Sequence, residues 1–170
     1  SRHRREFDRE GMRRLKGYEP DLCVLAGYGL ITDAEMCNRY NMLNLHPSMP
    51  GGPVGTWQDV IWKLIEEKTQ GTGAYIHLAT EDLDRGPVLT YCSFPLRGNA
   101  FDPLWSEIEG RSVDDLKATD GENLSLFQLI RQEGIRRERP LLLETLKSFA
   151  NGDIRIEGRR PTDADGNPTG

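Results

Sequence analysis

Short apolar runs alternate with amphipathic stretches through the first half of the chain, a pattern that predicts strands interleaved with helices. Arg5 to Lys16 is charged, with Phe7, Met12 and Leu15 as a thin apolar stripe at helical spacing, and Gly17-Tyr18-Glu19-Pro20 ends it. Asp21 to Gly27 is almost wholly apolar, as expected for a buried parallel strand. Gly27 to Ile31 reads as a strand and loop, and a helix with Asp33 near its cap runs to about Tyr40. Met42-Leu43-Asn44-Leu45-His46 then alternates apolar and polar, which puts Asn44 and His46 on one face at the end of a short strand. Pro47-Ser48-Met49-Pro50-Gly51-Gly52-Pro53 can continue neither a sheet nor a helix, so this amide and imidazole sit at a strand-to-loop edge, where α/β proteins hold their ligands.

Thr56 to Glu67 predicts a helix with Thr56 as cap and Val60, Ile61, Leu64 and Ile65 inward, Trp57 and Trp62 being packing groups. Gly73 to Leu78 is a strand bearing His77, and it runs into Ala79-Thr80-Glu81-Asp82-Leu83-Asp84-Arg85-Gly86-Pro87, a tight acidic loop. A strand from Val88 to Phe94 follows. Residues 99–123 lack periodicity and read as a surface insertion near the mouth of the site. Leu124 to Ala150 has helical spacing at Leu126, Leu129, Ile130, Leu141, Leu142, Leu146 and Phe149, with Gly134 and Pro140 marking a break or kink. Asn151-Gly152 turns into a short strand, Ile154 to Ile156, and the polar segment 159–170 reads as a flexible tail.

These elements predict an α/β fold, a mostly parallel twisted sheet flanked by helices. Doubly wound sheets open with a strand, a Gly-rich turn and a helix. This sequence starts instead inside a helix, so residues 1–158 are expected to form one domain incomplete at its N-terminus. The charge of −5, from 22 basic and 27 acidic residues in 170, argues against a general nucleic-acid binder or an anionic-membrane protein. No apolar run approaches the ~20 residues of a membrane helix, and there is no signal-peptide pattern. Cys23, Cys37 and Cys92 have neither pairing nor metal-like spacing with the three histidines, which suits a reducing cytoplasm and no metal.

Asn44-Leu45-His46-Pro47-Ser48, the Pro/Gly loop, a helix, then His77 and Leu83-Asp84-Arg85-Gly86-Pro87 together resemble the folate-dependent formyltransferase family, from about Arg5 to Ile156. The resemblance implies a Rossmann-related sheet and a catalytic trio of Asn44, His46 and Asp84. Chemistry agrees with that assignment. When an amine attacks a formyl carbonyl the oxygen becomes anionic; an amide N–H and an imidazole can donate to it, and a carboxylate can favour the protonated imidazole and accept the amine's proton. Taken singly, Asn44 is also a turn former and His46 a satisfied core histidine.

By resemblance, the backbone of Gly29, Leu30 and Ile31 and the loop Thr80, Glu81, Asp82 and Leu83 hold the pterin and formyl arm, while Leu25 and Met42 wall the ring. His77 is given a supporting role, orienting the acidic loop, as readily as a direct one. Glu138 falls where the family places an acid near the acceptor, and the Met49-Pro50 peptide is expected to be cis. The implied donor is 10-formyltetrahydrofolate, the acceptor a small primary amine such as glycinamide ribonucleotide in purine synthesis, and a homodimer is compatible with the family. Hydrolysis of the donor, or formylation of a sugar amine or a charged tRNA, would use the same trio. A folate-binding or partner-binding protein without activity is the non-enzymatic alternative.

Overall fold

The computed structural model describes residues 2–25, 32–82 and 85–168. Strands β1 (Cys23–Val24), β2 (Met42–His46), β3 (Gly71–Leu78) and β4 (Val88–Pro95) form one sheet in the order β1-β2-β3-β4. β1 and β2 are parallel, pairing Cys23 with Met42 and Val24 with Leu43. β4 returns antiparallel to β3, since Leu78 N–H donates to Pro87 O at one end and Leu96 N–H to Gln70 O at the other, both at 2.9 Å. The sheet is therefore mixed and carries helices, as an α/β fold requires. The strand and loop expected at Gly27 to Ile31 lie outside the described residues apart from their flanks.

The chain divides into two compact units. The first comprises Ser1–Leu45, Ile76–Thr90 and Thr145–Gly170. Its core is small: Cys37, Tyr40, Met42 and Ala79, with Met12, Leu15, Cys23, Leu25 and Met36 packed on it. Helix α1 (Arg2–Arg14) contributes Met12 to that core, and Leu15 follows just beyond its end. Phe7, expected in the inward stripe, is instead 56% exposed. The buried position on that side is Asp8, 1% exposed, whose Oδ2 accepts the Asp33 N–H at 2.7 Å, just before helix α2 (Ala34–Arg39). A charged residue thus outcompetes an aromatic one because its carboxylate satisfies a backbone donor at a helix start.

The same unit contains a correction at the C-terminal end. The segment read as a flexible tail forms strand β6 (Arg160–Asp163), antiparallel to β5 (Ile154–Glu157), and Thr162 also bridges to Pro168. Gly158 and Arg159 make the two-residue turn, both with positive φ (54° and 65°), the geometry that fits the twist of a hairpin. Arg159 tolerates this conformation because its guanidinium donates to the carbonyls of Cys37 and Ala79. Polar composition concealed a hairpin whose ordering depends on those distant acceptors.

The second unit comprises His46–Tyr75 and Tyr91–Glu144. Helix α3 (Trp57–Glu66) buries Val60, Ile61, Trp62, Leu64 and Ile65, as its spacing predicts. Thr56 caps it: its side chain accepts the Asp59 N–H at 3.2 Å while Asp59 Oδ2 accepts the Thr56 N–H at 3.1 Å. Thr56→Ala should therefore cost about 1 kcal/mol, seen as a lower urea midpoint at unchanged slope. Trp57 and Trp62 pack on Phe127, with ring centroids 5.8 and 4.9 Å away, so both are packing groups as expected.

Residues 99–123 are not an irregular loop. They form α4 (Asp102–Glu107) and α5 (Val113–Thr119), with Ser112 capping α5, and they bury Phe101, Ile108 and Leu116 in this unit's core. The spacing Phe101, Leu104, Trp105, Ile108 is helical, but it is masked by the density of acids between those residues. Helix α6 (Ser125–Asn151) runs through both Gly134 and Pro140 without the expected break. Its most buried residues include Leu126, Phe127 and Ile130, whereas Leu141, Leu142, Leu146 and Phe149 are only partly buried. No cis peptide occurs among the described residues, so Met49-Pro50 is trans, against expectation.

Candidate active site

Asn44 and His46 occupy alternate positions of β2, as the pattern Met42 to His46 requires. Asn44 is half-buried and belongs to the first unit, where it meets His77 of β3. Asn44 Nδ2 lies 3.2 Å from His77 Nε2, and His77 Nδ1 lies 3.2 Å from the carbonyl oxygen of Leu78. A carbonyl can only accept, so the His77 proton belongs on Nδ1; Nε2 then accepts from the Asn44 amide. This fixes which way the amide of Asn44 faces, an orientation the isolated side chain would not have. His77 itself is 2% exposed.

Gly86 follows the acidic loop and closes on the same histidine. A methyl at Gly86 would overlap the Leu78 carbonyl oxygen and lie 3.2 Å from His77 Nδ1. The sequence Asp84-Arg85-Gly86-Pro87 therefore needs glycine for close packing rather than for an unusual φ.

His46 is 2% exposed and belongs to the second unit. Its Nε2 donates to the Pro53 carbonyl at 2.8 Å, and its ring stands 5.2 Å from that of Tyr75, itself 4% exposed. The Pro/Gly loop curls back to make this bond. Gly52 N–H donates to Met49 O at 2.8 Å, Gly51 has φ 77°, and a side chain at Gly52 would strike the hydroxyl of the fully buried Ser48. Sequence reasoning identified the loop but not the Pro53 carbonyl, which no residue type encodes. Tyr75 was legible in principle, because it stands two positions before His77 on the same strand face.

The remaining expected site residues are placed less directly. Asp84 and Leu83, together with Gly29, Leu30 and Ile31, lie outside the described residues. Thr80 is half-buried, its hydroxyl donating to Asp82 O at 3.1 Å, and Glu81 and Asp82 are exposed. Leu25 is partly buried against the small core, and Met42 is fully buried within it. Glu138, in the second unit, bonds Arg131 at 3.0 Å, and Arg131 in turn lies over the Trp57 ring at 4.6 Å. Burial pushes the Glu138 carboxyl above its ordinary pKa, partly offset by Arg131. An acid so engaged would have to leave Arg131 to meet a ligand.

Each unit thus holds one restrained hydrogen-bonding side chain: Asn44 against His77 in the first, and His46 against Pro53 in the second. Such restraint suits donors that must meet charge as it develops.

Comparison with known proteins points the same way. Over 109 residues, 62% of this chain and 50% of the relative, it is 28% identical to the phosphoribosylglycinamide formyltransferase of Escherichia coli. Over 90 residues, 51% of this chain and 29% of the relative, it is 33% identical to a methionyl-tRNA formyltransferase from a Wolbachia of Drosophila simulans. The chain therefore spans half or less of the length of these relatives. The crystal structure of glycinamide ribonucleotide transformylase 1 from Symbiobacterium toebii superposes with a TM-score of 0.56 at 28% identity, over 92% of this chain and 62% of that one. The profile of the formyl transferase family matches residues 1–97, which include Asn44, His46, His77 and the acidic loop, and the chain belongs to that family.

Proposed function

We propose that this protein transfers the formyl group of 10-formyltetrahydrofolate to a small primary amine, glycinamide ribonucleotide being the favoured acceptor. The observation that carries this reading is the pair of restrained donors, Asn44 and His46, two residues apart on β2 in a chain of the formyl transferase family. In the proposed reaction the amine nitrogen attacks the formyl carbon and the carbonyl oxygen becomes an oxyanion. The Asn44 amide N–H and the His46 imidazole donate to it. Donation from His46 Nε2 requires the Pro53 carbonyl to give way to the oxyanion as acceptor.

Asp84 has the role of base, taking the proton that the attacking amine loses, directly or through water. The bond from the formyl carbon to the folate nitrogen then breaks and that nitrogen gains a proton, leaving tetrahydrofolate and the formylated amine. His77 acts through Asn44 as a positioning residue. Thr80, Glu81, Asp82 and Leu83, with Gly29, Leu30, Ile31, Leu25 and Met42, are the proposed surroundings of the donor, and Glu138 that of the acceptor. No step calls for a metal.

Glycinamide ribonucleotide is favoured because a curated relative and a solved structure, each 28% identical to this chain, both carry that activity in their names. A methionyl-tRNA formyltransferase of Thermotoga maritima also matches over 88% of this chain, at 24% identity, so extent of coverage does not separate these acceptors and the assay must. The test is a turnover assay with 10-formyltetrahydrofolate and glycinamide ribonucleotide, run beside donor alone. Formyl-glycinamide ribonucleotide should accumulate, and without acceptor formate should not. Asp84→Asn should retain folate binding by calorimetry and lose ~10²–10⁴-fold in kcat. Formate release from donor alone would replace transfer with hydrolysis, and wild-type turnover in Asp84→Asn would remove the base from the mechanism.

A further inference from the structure

The overall charge of −5 conceals a segregation. Residues 1–16 hold seven arginines and lysines against three acids, a net of +4, so the rest of the chain stands at −9. On α1 and the turn that follows it, Arg5, Arg9, Arg13 and Lys16 recur at intervals of four, four and three, which lines them along one side of the helix next to the inward positions Asp8, Met12 and Leu15. Within the first unit this ridge faces α2 across a cavity of about 570 Å³. Arg9, Arg13, Lys16 and Arg39 line it, with Asn38 and a single carboxylate, Glu35.

The acids present do not neutralise it. Arg5 pairs with Asp33 at 3.6 Å and Arg9 with Glu35 at 3.2 Å, so the N-terminal half of the ridge is matched by α2. In the C-terminal half one carboxylate, Glu10, serves both Arg13 at 2.7 Å and Arg14 at 2.9 Å. Those two guanidinium groups hold the Glu10 carboxyl down at about 2. Arg39 donates its Nε–H to the Tyr40 hydroxyl at 3.1 Å, and among the described residues no carboxylate lies within ion-pair reach of Lys16 or Arg39. The local arrangement is an open cationic hollow in which Glu35 and Glu10 are taken up by Arg9, Arg13 and Arg14, and Glu19 acts on Arg39 from beyond ion-pair distance.

We infer that the groove between α1 and α2 binds an oligophosphate, through Arg13, Lys16 and Arg39. Planar guanidinium groups suit bidentate contact with phosphate oxygens, Arg13 through the edge that Glu10 does not occupy, and the Lys16 ammonium adds an untethered point charge. Three such cations around one cavity match a chain of two or three phosphates better than a lone carboxylate. This site requires neither Asn44 nor His46 and is independent of the formyl-transfer reading. The competing role for Arg13 and Arg39 is to stabilise the last turns of their helices. That role affects stability and predicts no ligand.

Two probes share the relevant chemistry: inorganic tripolyphosphate, followed by calorimetry, and a fluorescein-labelled 12-nucleotide RNA, followed by anisotropy. Either should bind the intact chain at low salt, and three phosphate contacts should weaken RNA binding about twentyfold between 50 and 200 mM salt. Lys16→Gln should weaken binding several-fold, and Lys16→Gln with Arg39→Gln at least tenfold. Among the described residues Lys16 has no carboxylate partner to lose, so its variant should remain folded. Arg155→Gln, an exposed arginine on β5, should bind like wild type. Binding of tripolyphosphate alone would identify a small phosphorylated ligand; binding of the RNA would identify a nucleic acid. Failure of both probes overturns the inference, as does a Lys16/Arg39 variant that binds as wild type does, or an Arg155 variant that loses as much.

Discussion

Asn44→Asp is expected to lower kcat for formyl transfer by ~10²–10³-fold while leaving the KM of the formyl donor within a few-fold. The substitution preserves size and replaces an N–H donor by an oxygen. Two consequences follow from the geometry. The developing oxyanion loses a donor and meets a carboxylate instead, and the bond from Asn44 Nδ2 to His77 Nε2 (3.2 Å) can no longer form with His77 protonated on Nδ1 alone. An unaltered KM alongside a fallen kcat would locate the loss in the transition state rather than in binding. His77→Phe supplies the companion measurement, because it removes the group that orients the amide while leaving the amide itself in place. Its loss of kcat should be smaller than that of Asn44→Asp, and the two together should be far from additive. A kcat for Asn44→Asp within threefold of wild type would mean that the amide does not face the reacting carbonyl.

Gly86→Ala is expected to destabilise the fold by about 3 kcal/mol or more, close to the limit that a marginally stable domain can absorb. The added carbon would overlap the backbone oxygen of Leu78, so relief requires movement of the chain between β3 and β4 rather than a rotamer change. Leu78 N–H also bonds Pro87 O at 2.9 Å, so the strand pairing beside Gly86 would be strained by the same movement. His77 Nδ1, 3.2 Å from the new carbon, would be displaced too, and turnover should fall along with stability. Gly11→Ala provides the contrast. Gly11 lies inside α1, where an added methyl would meet nothing within 4 Å, and alanine there should stabilise by about 0.5–1 kcal/mol. Urea unfolding of both variants separates the two cases, and a Gly86→Ala protein as stable as wild type would contradict the close approach of Gly86 to Leu78.

Elements whose stability is local were legible in the chain. β2 was readable from the alternation of Met42 to His46, and α3 from four apolar residues at helical spacing behind a Thr56 cap. Asn44, His46 and His77 could be singled out because residue type, strand position and the loops that follow converge on one chemistry. Where the reading failed, a distant partner had decided the outcome. Arg159 and the β6 hairpin are ordered by the carbonyls of Cys37 and Ala79, and Phe101, Ile108 and Leu116 fold α4 and α5 against a core assembled from α3 and α6.

The sequence by itself determined that this is an α/β protein with an amide and an imidazole at the end of one strand, since alternation and loop composition are properties of neighbouring residues. Tertiary structure alone decided how those two groups are held: Nε2 of His46 against Pro53 O, the Asn44 amide against His77, and His77 against Leu78 O. It also decided that the cations of α1 face α2 with too few acids to meet them. The physical reason is the same in each case. A hydrogen bond or an ion pair is set by where two groups meet in space, and only folding brings residues 44 and 77, or 16 and 39, to the same place.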